Sequence, residues 1–347
     1  FRYLILQITR PRLWLQCQRG VLINREVFMH LLLPIGFTLS PLIGGWLGAP
    51  WLTLLLAAVL IPLAEWFLRG SATLVTNYRW GKGLPQLIML AVLMITGGIA
   101  IQATNYAWDD LIWLALSCGY VCGGIGIVLA HELGHRRTLL DRSLARALLT
   151  WIAYGHYAIE HNRGHHRHAA TFEDPATARR NESVWRFMPR YFWGVYSDSL
   201  TLSRQQPGKI NETLLLTAIT LAMFALVMVI AGWKGVAFCV IQAWLAQTLV
   251  ATIDYVEHWG LQRRTIDGKL ERMNASHIWD CANTVSDALL FNLPRHSAHH
   301  LMPSLQCDEL YRVPESPQMP TGYAGMVLLA LIPPLFVNIM TPRLPTQ

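Results

Sequence analysis

Three short stretches of this 347-residue chain concentrate its histidine: HELGH (131–135), HNRGHH (161–166) and HSAHH (296–300), with His258 standing apart. An imidazole is costly to bury without a partner and is the commonest metal ligand, so such density asks for a metal, a proton or a phosphate. Side chains four apart on a helix share one face, roughly 5–6 Å from each other. His131 and His135, His161 and His165, and His296 and His300 have this spacing, and His299 lies on the stripe of His296. His166, five beyond His161, points about 140° away on a regular helix. It serves the same metal only if the helix ends there, and otherwise reaches a second metal. Nine candidate ligands result: His131, His135, His161, His165, His166, His258, His296, His299 and His300. One zinc takes three or four ligands, so nine imidazoles suit two metals with four or five each and positions left open. Imidazole serves Zn, Cu, Fe and Ni alike and does not name the metal.

The elements that must position these rings are apolar. Hydrophobic residues make up 53% of the chain and charged ones only 14%, against roughly 25% charged in soluble domains. A helix needs about 20 mainly apolar residues to cross a bilayer. Residues 27–47, 50–68, 84–104, 111–130, 213–232 and 233–252 qualify, giving six transmembrane helices in three hairpins. The expected architecture is an all-α, single membrane-embedded catalytic domain over residues 1–347. Its His-rich segments are 131–212 and 253–323, and 324–342, with Pro333 and Pro334, reads as an interfacial or reentrant cap. Arg2, Arg10, Arg12, Arg19 and Arg25 precede the first span, Arg69, Arg79 and Lys82 follow the second, and segment 131–212 is rich in Lys and Arg. Positive residues stay in the cytoplasm, so all these segments and the histidine clusters are expected there, on a bacterial inner membrane. The net charge of +7 is a topology signal that also suits anionic lipid or an acidic partner; nothing in the chain resembles a nucleic-acid-binding fold.

Other readings are weaker. HELGH matches the zinc-protease pattern H-E-x-x-H, but such a site places its helix within the membrane and takes one further ligand, usually a carboxylate. A transporter binds near the midplane through broken or polar helices, whereas Glu65 and His30 are the few polar candidates here and read as helix-end residues. Trp46, Trp51, Trp66, Trp108, Trp233 and Trp259 fall at span ends, as an interfacial belt would. His156, His168 and His277 read as supporting or loop residues, and the six cysteines as unpaired structural thiols.

At these boxes the sequence resembles the integral-membrane, non-haem di-iron alkane hydroxylases, within the wider fatty-acid-desaturase-like superfamily. EHNRGHHRHAATFEDPATAR resembles the hydroxylases' second box, DYVEHWGLQR their N-Y-x-E-H-Y-G-L box, LPRHSAHH their L-Q-R-H-S-D-H-H box, and TGYAGMVLLALIPPLF their tail. The resemblance runs from about residue 130 to 342. Asp254, Trp259, Pro294, Ala298, Phe172 and His168 depart from the pattern without removing a candidate ligand. Loss of a carboxylate at 298 and gain of His168 put substrate choice and rate in question more than metal binding.

The resemblance implies two iron ions, O2 and terminal hydroxylation of an alkane or similar apolar chain, one oxygen atom entering the substrate and the other leaving as water. Electrons would come from a rubredoxin-type donor served by an NAD(P)H reductase, since the chain carries no flavin fold, haem motif or four-cysteine site. Acyl-lipid desaturation or hydroxylation and alkyl-aromatic oxidation are the neighbouring outcomes; the glycine of HNRGHH and the EHWGL box favour alkanes. Neutral imidazoles do not offset the charge of two metal ions, so carboxylates should stand close. Glu132, Glu160, Asp174 and Glu257 adjoin the boxes and are expected to orient imidazoles through N–H···carboxylate bonds. The competing expectation pairs them with Arg136, Arg163, Arg179, Arg180 or Arg295.

Overall fold

The structure, a computed structural model, describes residues 16–68, 83–206, 208 and 210–345, with side chains from residue 29 onward. Arg2, Arg10, Arg12, Arg69, Arg79 and Lys82, on which the orientation reading drew, lie outside the described residues. The described chain is helical apart from a short hairpin, β1 (Thr265–Ile266) with β2 (Lys269–Leu270), and one bridge between Asp280 and Gln318.

In order, the long helices are α1 (Gln16–Trp46), α2 (Leu52–Phe67), α3 (Leu84–Ile101), α4 (Trp108–His135), α5 (Leu139–Trp151), α6 (157–168), α7 (Val184–Arg204) and α8 (Glu212–His258). Short helices α9 (Thr284–Leu289), α10 (His296–Leu301), α11 (Tyr323–Ala330) and α12 (Pro333–Met340) follow. Their starts carry conventional caps: Thr138 accepts from Asp141 N–H, Asn211 from Leu214 N–H, and Asn283 from Val285 and Ser286 N–H. Asp109 and Asp110 occupy the first turn of α4, where negative charge suits the helix dipole.

Met29–Trp46, Leu84–Ile101, Trp108–His135 and Glu212–His258 are long and apolar enough to cross a membrane; Leu52–Phe67 is apolar but shorter. These helices mark an integral membrane protein. α1 and α2 fold back on each other, with Ser40 Oγ 2.7 Å from Thr53 Oγ1. As a straight rod, the 47 residues of α8 would run about 70 Å. They do not. Gly232 has φ 59° and ψ −163°, a conformation that L residues rarely adopt, and the chain reverses there. Thr220 Oγ1 and Gln247 Nε2 consequently both reach the end of α5, donating to the carbonyls of Thr150 and Ile152.

The second arm of α8 runs alongside α4. They begin together, with Trp108 and Trp233 rings 4.2 Å apart and Lys234 Nζ donating to Tyr106 O. They also end together, at His131 and His135 on α4 and His258 on α8. The histidine-bearing ends therefore lie at one end of the helical core, opposite the Trp108–Trp233 contact. α11 and α12, eight residues each, span about 12 Å apiece and are too short to cross a bilayer individually. Trp46, Trp51, Trp66 and Trp233 are exposed, as an interfacial belt requires, but Trp259 is not. It is fully buried, edge-on to Phe336, with Nε1 donating to Glu182 O.

Candidate metal centre

Four helices deliver the nine imidazoles. His131 and His135 close α4, His258 closes α8, the 161–166 box sits in α6, and His296, His299 and His300 come from α10. The turn of α6 corrects the regular-helix expectation. His161–His165 is a π-turn, one residue wider than an α turn. It brings His166 back beside His161, their Nε2 atoms 3.0 Å apart, and sends His165 to a different neighbourhood. The spacing of four, which on a regular helix joins His161 to His165, is thus broken by the backbone. Gly164 belongs to this turn: a methyl there would come 2.7 Å from Glu160 Oε1.

Two groups form. His131, His135, His161, His166 and His299 make the first; His165, His258, His296 and His300 make the second. Within each, one ring nitrogen per residue lies within 4.8 Å of all the others. In the first group Nε2 of His299 is 3.0 Å from that of His131 and 3.1 Å from that of His166. In the second, Nε2 of His300 is 3.3 Å from that of His165 and 3.0 Å from that of His296, which lies 3.4 Å from that of His258.

Hydrogen bonding cannot satisfy this arrangement. Each neutral imidazole Nε2 offers either one proton or one lone pair, yet those of His299, His166, His296 and His300 each face two others. A shared cation resolves the conflict, because every nitrogen then points a lone pair at it. Nitrogens about 2.1 Å from one metal stand about 3.0 Å apart at right angles and about 3.4 Å apart at tetrahedral angles. The observed spacings fall there. Burial and the neighbouring imidazoles push His161, His296, His299 and His300 well below the ordinary histidine range, and His166 down to about 2. Neutral rings are the form that binds metal. The residues fit two metal ions.

The carboxylates divide. Asp174 Oδ2 is 3.0 Å from His165 Nδ1 and also accepts from Thr177 Oγ1 at 2.6 Å, while Oδ1 accepts from Ala176 N–H at 2.9 Å. Burial works against charge on both partners, but Asp174 holds His165 up at about 9 and is itself held low by it. Glu257 Oε2 lies 3.3 Å from His296 Nε2, and its Oε1 accepts the Tyr323 hydroxyl at 2.5 Å. Glu132 departs from expectation: its Oε1 takes Arg136 at 3.0 Å and its Oε2 the Cys307 N–H, with no imidazole. The i,i+4 arginine simply reaches it first. Glu160 is buried, and no hydrogen bond reaches its Oε1 among the described residues; burial and nearby Asp174 raise its carboxyl well above the usual range.

A largely apolar cavity opens onto both groups. Phe37, Ile61, Val128, Leu249, Val250 and Leu290 supply apolar wall, and His131, His161, His296, Glu257, Asp254 and Tyr157 stand at its polar side. Asp254, which the sequence marked only as a departure from a pattern, accepts the Tyr191 hydroxyl at 2.5 Å. Tyr157 stacks on His161 at 5.1 Å. Neither tyrosine stands in a motif that would mark it in the sequence. His156, His168 and His277 stay outside both groups: His156 lies between Tyr154 and Tyr196, His168 pairs with Glu173, and His277 joins the 271–277 turn. Ala298 packs in a small apolar cluster with Leu310 and Val313.

The sequence pattern of the fatty acid desaturase family matches residues 111–329. The chain belongs to that family. It is 36% identical over 265 residues to alkane 1-monooxygenase 1 of Pseudomonas aeruginosa, covering 74% of this chain and 69% of that one. It is 37% identical to alkane 1-monooxygenase of Ectopseudomonas oleovorans, covering 68% of this chain and 61% of the relative. A more distant match, 27% identical over 86% of this chain and 82% of the relative, is the xylene/toluene monooxygenase hydroxylase component of Pseudomonas putida. The chain thus spans roughly three fifths to four fifths of the lengths of these relatives.

Proposed function

We propose that this protein is a membrane monooxygenase that hydroxylates the terminal carbon of an alkane or similar apolar chain, with two irons, O2 and electrons from a rubredoxin-type donor. The observation that carries the reading is the junction of two convergent imidazole groups with an apolar cavity. Its relatives named alkane 1-monooxygenase support the same activity.

His131, His135, His161, His166 and His299 would hold one iron, and His165, His258, His296 and His300 the other. Bound there, the irons supply dioxygen activation and two-electron redox chemistry that no side chain provides. The protein's own residues do the rest. Asp174 fixes the His165 ring through Nδ1 and offsets metal charge. Glu257 places a second carboxyl group at the cavity side of His296. The apolar wall takes up the chain from the bilayer and keeps water from the reacting carbon. In the proposed topology six spans form three hairpins in one membrane domain, with the histidine end in the cytoplasm and α11–α12 as an interfacial cap. His135 and His166 are the partly exposed members of the first group, and His135 borders an open cleft with Arg136, Arg137 and Gln306. The cleft also holds Glu132, paired with Arg136, and Asp141, so Arg137 is the cation that would meet an acidic electron donor there.

Product analysis tests the reading. Membranes holding the protein are given octane, hexadecane, a fatty acid and xylene, with rubredoxin, its reductase and NAD(P)H. A primary alcohol from an alkane is expected. A new double bond in the acid would replace the reading with desaturation, and a benzylic alcohol from xylene alone with alkyl-aromatic oxidation.

A further inference from the structure

Glu65 was expected to be a helix-end residue, and it does lie near the end of α2, but its carboxylate turns inward. It is 1% exposed and stands in the wall of the apolar cavity. Burying a carboxylate there is costly unless donors surround it. Three do. Ser286 Oγ donates to Oε1 at 2.6 Å, Ala324 N–H to Oε1 at 3.1 Å, and Gly325 N–H to Oε2 at 2.9 Å. Asn283 Nδ2 also ties the Glu65 carbonyl to the start of α9.

All three donors bear on one neighbour. Ser286 Oγ accepts the backbone N–H of Tyr323 at 2.9 Å, while Ala324 and Gly325 are the next two residues of α11. Glu65 therefore fixes the backbone of Tyr323 from both directions. The Tyr323 ring, 2% exposed, spans from that anchor to the metal centre, where its hydroxyl holds Glu257 Oε1. The other oxygen of Glu257 faces His296 Nε2. The path is continuous: Glu65 to Tyr323, Tyr323 to Glu257, Glu257 to the second histidine group.

We propose that Glu65 is a positioning residue for the second histidine group, setting the place of the Glu257 carboxylate through Tyr323. The inference rests on the reading that this group holds iron. Its mechanism is steric and electrostatic. A buried carboxyl group locks the start of an eight-residue helix, and that lock fixes where a tyrosine hydroxyl presents a hydrogen bond about one ring-length away. Glutamine at 65 cannot reproduce it, since its amide nitrogen must face a donor at one of the two oxygen positions.

The test uses full-length, iron-loaded protein in lipid nanodiscs, comparing wild type, Glu65→Gln, Tyr323→Phe and the double variant. Iron per chain, the Mössbauer parameters of each ferrous site, kcat and KM are measured. Glu65→Gln should alter the signal of one iron only and lower kcat about 10- to 100-fold, with KM nearly unchanged. Tyr323→Phe should do the same, and the double variant should be no worse than Tyr323→Phe, because both lie on one path. If Glu65→Gln does not accumulate, Ser286→Ala cuts the same link and carries the same expectation. Multiplying kcat losses, or a lowered melting temperature with both iron signals intact, would overturn the inference and reduce Glu65 to a structural cap. An iron-free active wild type would instead remove the metal reading beneath it.

Discussion

Asp174→Asn should strip one iron and spare the other. The carboxylate accepts three hydrogen bonds, from His165 Nδ1 and Thr177 Oγ1 on Oδ2 and from Ala176 N–H on Oδ1. Asparagine has one acceptor oxygen. Placed at the Oδ2 position, it keeps His165 and Thr177 but sets its NH2 against the Ala176 N–H. Reversed, it sets the NH2 against His165. Either choice leaves a buried donor unmet, at about 1–3 kcal/mol of folding stability. The larger effect is on the metal. An imidazole whose Nδ1–H is no longer backed by an anion is a poorer ligand, and loss of such a partner weakens metal binding about 10- to 100-fold. That is about 1.4–2.8 kcal/mol.

The effect should be confined, because His165 belongs to the second group alone. Iron is measured per chain after equilibration against graded chelator, with Mössbauer spectra recorded at each step. Wild type should release two irons at two chelator strengths; the variant should release one of them about one to two decades earlier. Thr177→Val controls for packing, since it removes one donor and leaves the carboxylate. Parallel loss of both irons would show a single coupled site, and unchanged release would show that the Asp174 contact adds nothing to metal affinity.

Three further outcomes follow from the same geometry. Arg137→Glu, in the cleft beside His135, should raise KM for an acidic donor about tenfold at low salt without changing iron content, as steady-state rates against donor concentration would show; an unchanged KM places the dock elsewhere. Gly124→Leu should shorten the cavity, because a Cβ there meets only Phe37, at 3.8 Å; competition between octane and hexadecane should shift toward octane, and an unaltered ratio would remove Gly124 from the substrate path. The Glu182 carboxyl is held below its ordinary range: burial opposes this, but Arg190 and the Arg179 N–H outweigh it. The resulting stability is present above the ordinary carboxyl pKa and is lost as pH falls through the depressed one, so melts at falling pH should flatten on that limb in Arg190→Gln, and identical slopes would refute the linkage.

The ligand types were legible because imidazole clusters in a charge-poor chain have few uses. Two chain reversals were legible, because the apolar runs break at Gly48–Pro50 and at Gly232. Partition of the histidines was not, since the 161–166 spacing fits an α-helical wheel equally well. The π-turn at His161–His165 swaps which ring meets which group, and a one-residue widening leaves no mark in composition or periodicity. The carboxylates failed differently. Glu132 and Asp174 look alike from their positions beside a histidine box, and only the third dimension gives one to Arg136 and the other to His165. Glu65 is more than two hundred residues from Tyr323 in sequence, beyond any local pattern.

The placement of charge makes the two groups unequal. The second is wholly buried and has both directly contacting carboxylates, Asp174 behind His165 and Glu257 beside His296. The first has no carboxylate on its imidazoles among the described contacts, because Glu132 is spent on Arg136. It alone has partly exposed members, and one of them borders the Arg136–Arg137 cleft. With the same metal in both groups, the ionised Asp174 behind His165 would favour the more oxidised state at the second. With irons bound, electrons from the cleft would enter at the first group, whose partly exposed members lie nearest to it. The cavity meets both, through His131 and His161 on one side and His296 on the other, so the substrate carbon need not travel between them.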